Sequence, residues 1–334
     1  MRVFELQNKT SLEALTLTER DDPHPGPEQV LIQMRAAALN YRDALVINGL
    51  YNPNLPLPIV PLSDGVGSVV AVGQNVTRVK PGDRVAGILV QNWLSGEMPG
   101  GILTLGADMD GVLAQRVVLH QDGVVHVPAH LTDEEAATLP CAAVTAWSAL
   151  MVQGALKPGE TVLVQGTGGV SLFALQFARL AGAQVIVISS SDEKLEQARL
   201  LGATEGINYK KIPDWDKEVL KLTGGRGVDY VVEVGGAGTL SRSLNAVRTG
   251  GQVSLIGILS GISAEMSMLP ILMKQVRVQG IYVGSRATFE QMNNAIALHK
   301  LKPVIDRVFP FEEAIGAFKY MEKGGHVGKI VIHI

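Results

Sequence analysis

The pattern of hydrophobic and polar positions changes along the chain near residue 124. Before that point, short apolar runs alternate with turns that contain Gly and Pro, which predicts strands at 29–37, 65–72 and 84–89 and a loop at 91–111. Beyond it, apolar runs alternate with helix-like stretches of about ten residues, as expected for βαβ units in a parallel sheet. They predict strands at 161–165, 184–188, 229–234, 252–256 and 276–282, and helices at 170–181, 192–201 and 239–247. A helix at 288–299 and a strand at 329–334 are predicted to close an α/β protein with a β-rich first part and a doubly wound parallel sheet.

Composition narrows the class of protein. Of the 334 residues, 46% are hydrophobic and only 18% are charged, which excludes a disordered chain. The net charge of −3 gives no electrostatic support for nucleic-acid binding. A single cysteine, Cys141, excludes an internal disulfide framework. Because the chain has neither a secretory signal nor an apolar run of about 18 residues, we expect a cytoplasmic protein without a membrane partner.

A glycine-rich turn joins an apolar strand to a helix at residues 161–181. In TVLVQGTGGVS, Gly166 permits the tight turn, and Gly168 lets the backbone approach a pyrophosphate. The helix that follows, beginning with Gly169 and Val170, offers unpaired N–H groups to an anion. Ser171 stands at the third motif position, where a small residue allows the helix to pack against the strand. The pattern predicts a dinucleotide-binding site.

The end of the second strand bears on the choice of nicotinamide cofactor. An NAD site usually has an acidic residue there, whereas this chain has Ser189, Ser190 and Ser191, followed by Asp192 and Lys194. Hydroxyl groups and a cation suit a 2′-phosphate, so Ser189, Ser190 and Lys194 favour NADP(H), with NAD(H) still open. The run can also serve as the N-cap of the next helix, and both functions are compatible.

Several motifs are spread over nearly the whole chain. They are ALNYRDALVINGLY (38–51), GVGSVVAVGQNVTRVKPGDRVAG (65–87), LPCAAVTAWSAL (139–150), VLVQGTGGV (162–170), KLEQARLLGA (194–203), GGRGVDYVVEVGG (224–236) and GHVGKIVIHI (325–334). Together they resemble the medium-chain dehydrogenase/reductase superfamily. The resemblance implies a GroES-like β-rich catalytic domain at 1–124 and 287–334, a Rossmann domain at 125–286, and an active site in the cleft between them. Homodimers that join their Rossmann sheets through the last strand are common in this superfamily, and the segment 276–284 suits that edge.

The positions that resemble the catalytic zinc ligands of the superfamily carry other residues here. Asn40 and Ser63, the latter beside Asp64, replace a cysteine and a histidine, and only Cys141 remains as a sulfur ligand. Because zinc needs three protein ligands beside its water, the sequence predicts a protein without zinc. A partial site of Asp64 and Cys141 is the alternative. This pattern resembles the branch with quinone oxidoreductases and enoyl-thioester reductases.

The resemblance also indicates a proton donor. In that branch a tyrosine at the position of Tyr51 protonates the carbon opposite hydride delivery, and a phenol carries its proton at neutral pH. Tyr41 is the competing candidate, and a packing aromatic is the alternative for both. Asn40 is expected to position the substrate or the nicotinamide. We therefore expect hydride transfer to an electron-poor double bond or quinone of an apolar, carbonyl-conjugated small molecule; an alcohol or aldehyde dehydrogenase-like activity and a non-catalytic nucleotide-binding protein are the alternatives.

Further cofactor contacts are implied by the same resemblance. Thr145 matches a position at the nicotinamide face, although a helix-capping hydroxyl is equally consistent with its place. Tyr209 matches the adenosine side near a 2′-phosphate. The remaining positions lie where the sheet or the returning chain meets the ligand, and turn geometry is the alternative for the glycines among them: Gly235, Gly257, Gly328 and Lys329.

Overall fold

The computed structural model describes residues 1–52 and 54–334 and divides the chain into two compact units. Unit 1 comprises residues 1–144 and 284–334, and unit 2 comprises residues 145–283. The strands, numbered in chain order, are β1 (Arg2–Leu6), β2 (Leu15–Glu19), β3 (Gln29–Ala38), β4 (Asp64–Val72), β5 (Arg84–Gly87), β6 (Arg116–His120), β7 (Val124–His126), β8 (Thr161–Gln165), β9 (Gln184–Ser189), β10 (Glu205–Asn208), β11 (Val228–Glu233), β12 (Val247–Leu255), β13 (Arg277–Gly280), β14 (Ile305–Pro310) and β15 (Lys329–His333).

The α-helices are numbered in chain order in the same way. They are α1 (Tyr41–Ile47), α2 (Asp133–Ala137), α3 (Val144–Trp147), α4 (Gly169–Leu180), α5 (Asp192–Leu200), α6 (Trp215–Leu222), α7 (Leu240–Ala246), α8 (Leu269–Lys274), α9 (Arg286–His299) and α10 (Ala314–Glu322). Two π-helical turns, Leu139–Ala143 and Ser148–Val152, flank α3. Within residues 1–52 and 54–334, none of these helices combines the length and the apolar content that a membrane span needs.

Unit 1 is built on a sheet in the order β14-β15-β3-β4-β5-β7, with β6 also pairing with β3. The C-terminal strand β15 lies antiparallel to β3, so the end of the chain returns beside residues 36–38. A continuous apolar core joins this sheet to α10 and includes Leu6, Ile32 and Phe318. This pairing places the start of β15 next to the residues that follow β3, where α1 begins.

Unit 2 is a parallel sheet in the order β10-β9-β8-β11-β12-β13. The chain order of the strands reverses between β8 and β11, and in open α/β sheets ligands bind at the carboxyl ends of the strands at such a point. Strands β8 and β11 are fully buried, in keeping with helices on both faces. The β-rich unit and the doubly wound parallel sheet predicted from the sequence are therefore both present.

The unit boundary lies at residue 144, later than the 124 predicted from the sequence. Helix α2 packs on β3 and β4, and Asp133 at its start accepts a hydrogen bond from Arg84 at 2.7 Å. These contacts hold residues 125–144 in unit 1. The change in the hydrophobic pattern near residue 124 therefore precedes the first helix of the region where helices and strands alternate. The change from unit 1 to unit 2 comes later, at residue 144.

Candidate active site

The glycine-rich turn of unit 2 has the geometry of a phosphate-binding turn. Strand β8 ends at Gln165, and α4 begins at Gly169. Gly168 is the N-cap of α4, and no side chain caps the helix there. The hydroxyl of Ser171, a buried residue in the first turn of α4, donates a hydrogen bond to the backbone oxygen of Gln165 at 2.6 Å. The small residue at the third motif position thus ties helix to strand and leaves the helix N-terminus open to an anion.

The glycines of this turn are needed for different reasons. Gly166 has φ of +73°, a conformation that side chains rarely adopt. Gly168 has φ of −77°, which any residue accepts, and a Cβ built on it would meet no protein atom within 4 Å. The fold itself therefore does not require glycine at 168. The open space beside it fits the close approach of a pyrophosphate to the backbone.

The three consecutive serines at the end of β9 make different contacts. Ser191 is the N-cap of α5 and accepts a hydrogen bond from the backbone N–H of Lys194 at 3.3 Å. Ser189 is buried, and its backbone oxygen accepts from the N–H of Tyr209 at 3.0 Å. Ser190, half-buried, lies between them. Helix capping therefore uses Ser191 alone, and residues 189, 190, 194 and 209 gather at one edge of the sheet.

Asp192, an acidic residue at this edge, is paired with other residues. Its carboxylate accepts from Asn208 Nδ2 at 2.7 Å and from the ammonium of Lys211. The hydrogen bonds from Asn208 and from Lys211, in that order, hold the pKa of Asp192 below its ordinary range. Its charge is thus compensated within the protein.

A buried carboxylate that the sequence analysis missed organises the end of β11. Glu233 is 0% exposed, and one of its oxygens accepts from the N–H groups of Gly235 and Gly236 and from Thr239 Oγ1 at 2.6–2.9 Å. The other oxygen accepts from Gln165 Nε2 at 2.7 Å and from the hydroxyl of Ser243. Glu233 therefore joins the strand end that precedes the phosphate turn to the glycine loop after β11. A lone acid in the apolar run VVEVGG was the available signal.

Three of the other predicted cofactor glycines have structural reasons within their own unit. A Cβ on Gly235 would lie 2.2 Å from Thr239 Oγ1, and one on Gly257 would lie 2.2 Å from the backbone oxygen of Val234. Gly328 has φ of +82° and lies against the backbone of Val304. Close packing at 235 and 257 and backbone conformation at 328 require glycine there with or without a cofactor contact. Thr145, on α3, is buried.

A cluster of buried charged groups lies in unit 1, where α1 begins. The Asp43 carboxylate accepts from the backbone N–H of Asn40 at 2.8 Å and from Arg42 Nη1 at 3.3 Å. Arg42 Nη1 also donates to the backbone oxygen of Leu105 at 3.2 Å. The guanidinium carbon of Arg42 lies 4.7 Å from the centre of the Tyr51 ring, which is the geometry of a cation–π contact. Arg42 thus links the carboxylate of Asp43 to the ring of Tyr51.

The second half of this cluster is centred on Lys329 at the start of β15. Its ammonium donates to the backbone oxygen of Leu39 at 2.6 Å and to Asn40 Oδ1 at 2.5 Å, and it lies 3.8 Å from Asp64 Oδ2. Asp64 also accepts from Ser63 Oγ at 2.9 Å and from the N–H of Cys141 at 3.1 Å. Lys329 is 3% exposed and Asp64 is 0% exposed. Asn40 and Lys329, both predicted as site residues, are therefore in direct contact.

Burial is the largest cause of the pKa shifts in this cluster. It raises the pKa of Asp43 to about 6 against the opposing effect of Arg42, and it raises the pKa of Asp64 against that of Lys329. Burial, with the Asp64 carboxylate as the next cause, raises the pKa of the Cys141 thiol to about 12. Cys141, which is half-buried, is therefore a thiol at neutral pH and not an activated nucleophile.

The two candidate tyrosines differ in their surroundings. Tyr51 is half-buried under the guanidinium of Arg42, whereas Tyr41 is 48% exposed at the start of α1. Tyr51 follows the cluster in the chain and lies against it, so its phenol is near a fixed positive charge. Tyr41 has no such neighbour in the contacts described above.

The residues at the positions that resemble zinc ligands do not form a zinc site. Asn40 offers an amide oxygen already bound to Lys329, and Ser63 offers a hydroxyl that donates to Asp64, so Cys141 is the one thiol among these positions. Zinc is held by thiolate, imidazole or carboxylate groups, and an ammonium already pairs with Asp64 at this place. In the part of the chain that the structure describes, no three His, Cys, Asp or Glu side chains group as metal ligands would.

Comparisons with known proteins agree with this architecture. An alcohol dehydrogenase GroES-like domain matches residues 26–129, and a zinc-binding dehydrogenase domain matches residues 169–298. A zinc-type alcohol dehydrogenase-like protein of Schizosaccharomyces pombe is 45% identical over 92% of this chain and 91% of its own length. A solved structure from Sinorhizobium meliloti 1021, provisionally named an alcohol dehydrogenase, has a TM-score of 0.94 at 42% identity and covers 100% of this chain and 98% of its own.

These likenesses define an NAD(P)-dependent oxidoreductase of two-unit architecture. The chain belongs to the medium-chain dehydrogenase/reductase superfamily.

The names of other members that it resembles differ in cofactor and substrate. A solved NAD-dependent alcohol dehydrogenase has a TM-score of 0.93 at 34% identity and covers 100% of both chains. An acryloyl-coenzyme A reductase of Metallosphaera sedula is 29% identical over 94% of this chain and 95% of its own length. A 2-octenoyl-CoA carboxylase reductase, solved with NADP and 2-octenoyl-CoA, has a TM-score of 0.89 at 25% identity and covers 99% of this chain and 87% of its own.

Proposed function

We propose that this protein is a zinc-independent, NADP(H)-dependent oxidoreductase that reduces an electron-poor double bond or a quinone, with Tyr51 as its proton donor. The observation that carries the proposal is the buried ammonium of Lys329. It pairs with Asn40 and Asp64 at the place where a zinc enzyme would need free ligands. A second support is the position of Tyr51 beside Arg42.

The cofactor, when bound, supplies the hydride. The turn at Gly166–Ser171 and the open helix N-terminus of α4 would hold its pyrophosphate. Ser190, Lys194 and Tyr209 would hold the 2′-phosphate, and the negative charge of Asp192 is compensated there by its pairing with Lys211.

The chemistry in unit 1 is proton supply without a Lewis acid. Reduction of a conjugated double bond builds negative charge on the acceptor, and a neighbouring phenol can quench it by giving its proton. The cation–π contact with Arg42 holds the Tyr51 ring in place for this transfer. Asn40 would orient the acceptor or the nicotinamide through its amide.

The names of some relatives support double-bond reduction, and the names of others support the alternative, carbonyl reduction. Acryloyl-CoA and 2-octenoyl-CoA, named with two of these relatives, carry conjugated double bonds. The relatives with higher identity are named after alcohol dehydrogenases, so carbonyl reduction without zinc is the second candidate.

A matched pair of acceptors tests the proposal. Chelator-treated protein, with its metal content measured by mass spectrometry, is given NADPH or NADH and either a saturated aldehyde or an α,β-unsaturated ketone of similar size. We expect oxidation of NADPH with the unsaturated ketone at less than stoichiometric zinc. Turnover of the aldehyde alone, or activity that is lost when zinc is removed by the chelator, would contradict the proposal. No oxidation of either cofactor with a panel of enones and quinones would favour a binding protein.

The preference for NADP(H) is tested at Ser190. A Ser190→Asp variant places a carboxylate beside the proposed 2′-phosphate, and we expect the ratio of the dissociation constants to shift towards NADH by roughly 100-fold, since like charges at close range cost about 2–3 kcal/mol. Fluorescence titration with both cofactors measures the ratio. Ser190→Thr keeps the hydroxyl and should keep the preference for NADPH. Equal shifts in both variants would mean that the 2′-phosphate does not bind at this edge.

We also propose a homodimer formed through the edge of the unit 2 sheet, by analogy with the superfamily. Strand β13 ends the described sheet, and Leu272 and Met273 of the neighbouring helix α8 are 71% and 74% exposed. Apolar side chains at an open strand edge favour association. We expect a dimer by light scattering at micromolar concentration and a monomer after Leu272→Glu. Leu200→Glu, at an equally exposed position on α5, is the control that should stay dimeric.

A further inference from the structure

The contacts of Lys329 place it within the polar cluster of unit 1. The sequence analysis assigned Lys329 to the cofactor, yet its ammonium is engaged by Leu39, Asn40 and Asp64. These groups come from the other end of the chain, 289 and 290 residues away for Asn40 and Leu39. Because β15 pairs with β3, the first residue of β15 meets the residues that follow β3.

The ammonium determines which way the Asn40 amide points. An ammonium group can only donate, so the end of the amide that faces it must be the oxygen. The Nδ2 group is then a buried donor without a short hydrogen bond, and its neighbour among the described residues is the Asp64 carboxylate, whose pKa the Asn40 side chain acts to lower. The Asn40 amide therefore lies between the ammonium of Lys329 and the carboxylate of Asp64.

The charges of the cluster balance only when Lys329 is included. Arg42 accompanies Asp43, and Lys329 accompanies Asp64, while Ser63 Oγ, the N–H of Cys141 and the Asn40 side chain, which also act on Asp64, are neutral. Removing one partner of a buried ion pair leaves an uncompensated charge, which destabilises the fold far more than removing both.

We propose that Lys329 is a positioning residue of the reaction site, whose ammonium fixes the orientation of the Asn40 amide and compensates the buried charge of Asp64. The part that concerns Asn40 rests on the proposed function, since Asn40 acts only if an acceptor is reduced beside it. The part that concerns Asp64 does not depend on any turnover. Lys329 therefore acts through Asn40 and not by contact with the cofactor.

A double-mutant cycle tests the effect on Asn40. The variants are Lys329→Met, Asn40→Ala and the double variant, with whichever acceptor the wild-type protein reduces. We expect each single variant to lower kcat about 10- to 100-fold, the double variant to be no worse than about twofold below Lys329→Met, and NADPH dissociation constants to change by less than about twofold. Lys329→Arg, which keeps a donor cation, should recover part of the rate. Additive losses in kcat, or a tenfold weaker NADPH affinity with kcat retained, would overturn the proposal, and the latter result would make Lys329 a cofactor ligand.

Thermal unfolding tests the effect on Asp64 without any substrate. We expect Lys329→Met to lower Tm by roughly 5 °C or more, and Lys329→Met with Asp64→Asn to recover most of that loss, because no unpaired charge remains. If the two substitutions lower Tm additively, Lys329 does not compensate Asp64. If this stability cycle behaves as expected and no acceptor is turned over, the proposed function fails and the charge pairing stands.

Discussion

Replacing Tyr51 by phenylalanine should lower kcat for an unsaturated acceptor by about 100-fold or more, because general acid catalysis contributes roughly that much. Phenylalanine keeps the ring under Arg42, so the packing at 4.7 Å from the guanidinium is preserved and only the transferable proton is lost. The dissociation constant for NADPH, for which we propose a site in unit 2, should stay within about twofold. Steady-state kinetics with the unsaturated ketone and fluorescence titration with NADPH measure the two quantities.

Tyr41→Phe is the matched control for this prediction. Tyr41 is 48% exposed and lies outside the contacts of Arg42, so the same loss of a hydroxyl should leave kcat within about twofold of the wild type. Equal losses in both variants would indicate a general effect on the start of α1. A large loss only in Tyr41→Phe would transfer the proton donation to that residue.

A Gly168→Val substitution should abolish cofactor binding while the fold remains intact. The backbone of Gly168 is in an ordinary conformation, and its Cβ would enter open space, so the free energy of unfolding should change little. A bound pyrophosphate needs that same space, and we expect the NADPH dissociation constant to rise by roughly 100-fold or more, about 2.7 kcal/mol. Calorimetric titration and thermal unfolding measure the two effects separately.

A Gly257→Ala substitution should lower the stability of the fold, in contrast to Gly168→Val. Its Cβ would lie 2.2 Å from the backbone oxygen of Val234, so the neighbouring strand must shift, at a cost of about 2 kcal/mol or more in stability. We expect a lower Tm for this variant before any specific effect on the cofactor. If Gly168→Val also lowers Tm by several degrees and leaves NADPH binding unchanged, the turn is a structural element and not a phosphate site.

The sequence was most informative where structure is determined locally. The predicted strand 161–165 matches β8, and the glycine turn and the start of α4 follow within one residue, because tight turns and helix starts depend on neighbouring residues. Short strands such as β10 and β14 were missed, since four to six residues of mixed character carry little periodic signal. The unit boundary at residue 144 depends on the packing of α2, which no local pattern reveals.

The charged clusters could not be predicted for a different reason. Lys329 and Asn40 are 289 residues apart, and their contact exists only because β15 pairs with β3. Glu233 likewise satisfies donors from Gln165 and Ser243 that folding brings together. In each case the sequence contained a signal, which was a charged residue in an otherwise apolar strand. Such residues are rarely buried without partners. The sequence could identify the residues that needed partners but not the partners themselves.

The position of the transferred hydride tests the central claim most directly. NADPH that carries deuterium at the transferred position of its nicotinamide ring is given to the zinc-free protein with an α,β-unsaturated ketone, and the product is analysed by NMR. Reduction of the double bond predicts a saturated ketone with deuterium on the β-carbon and a solvent-derived proton on the α-carbon. An allylic alcohol with deuterium on the carbinol carbon would contradict the claim and identify the protein as a carbonyl reductase.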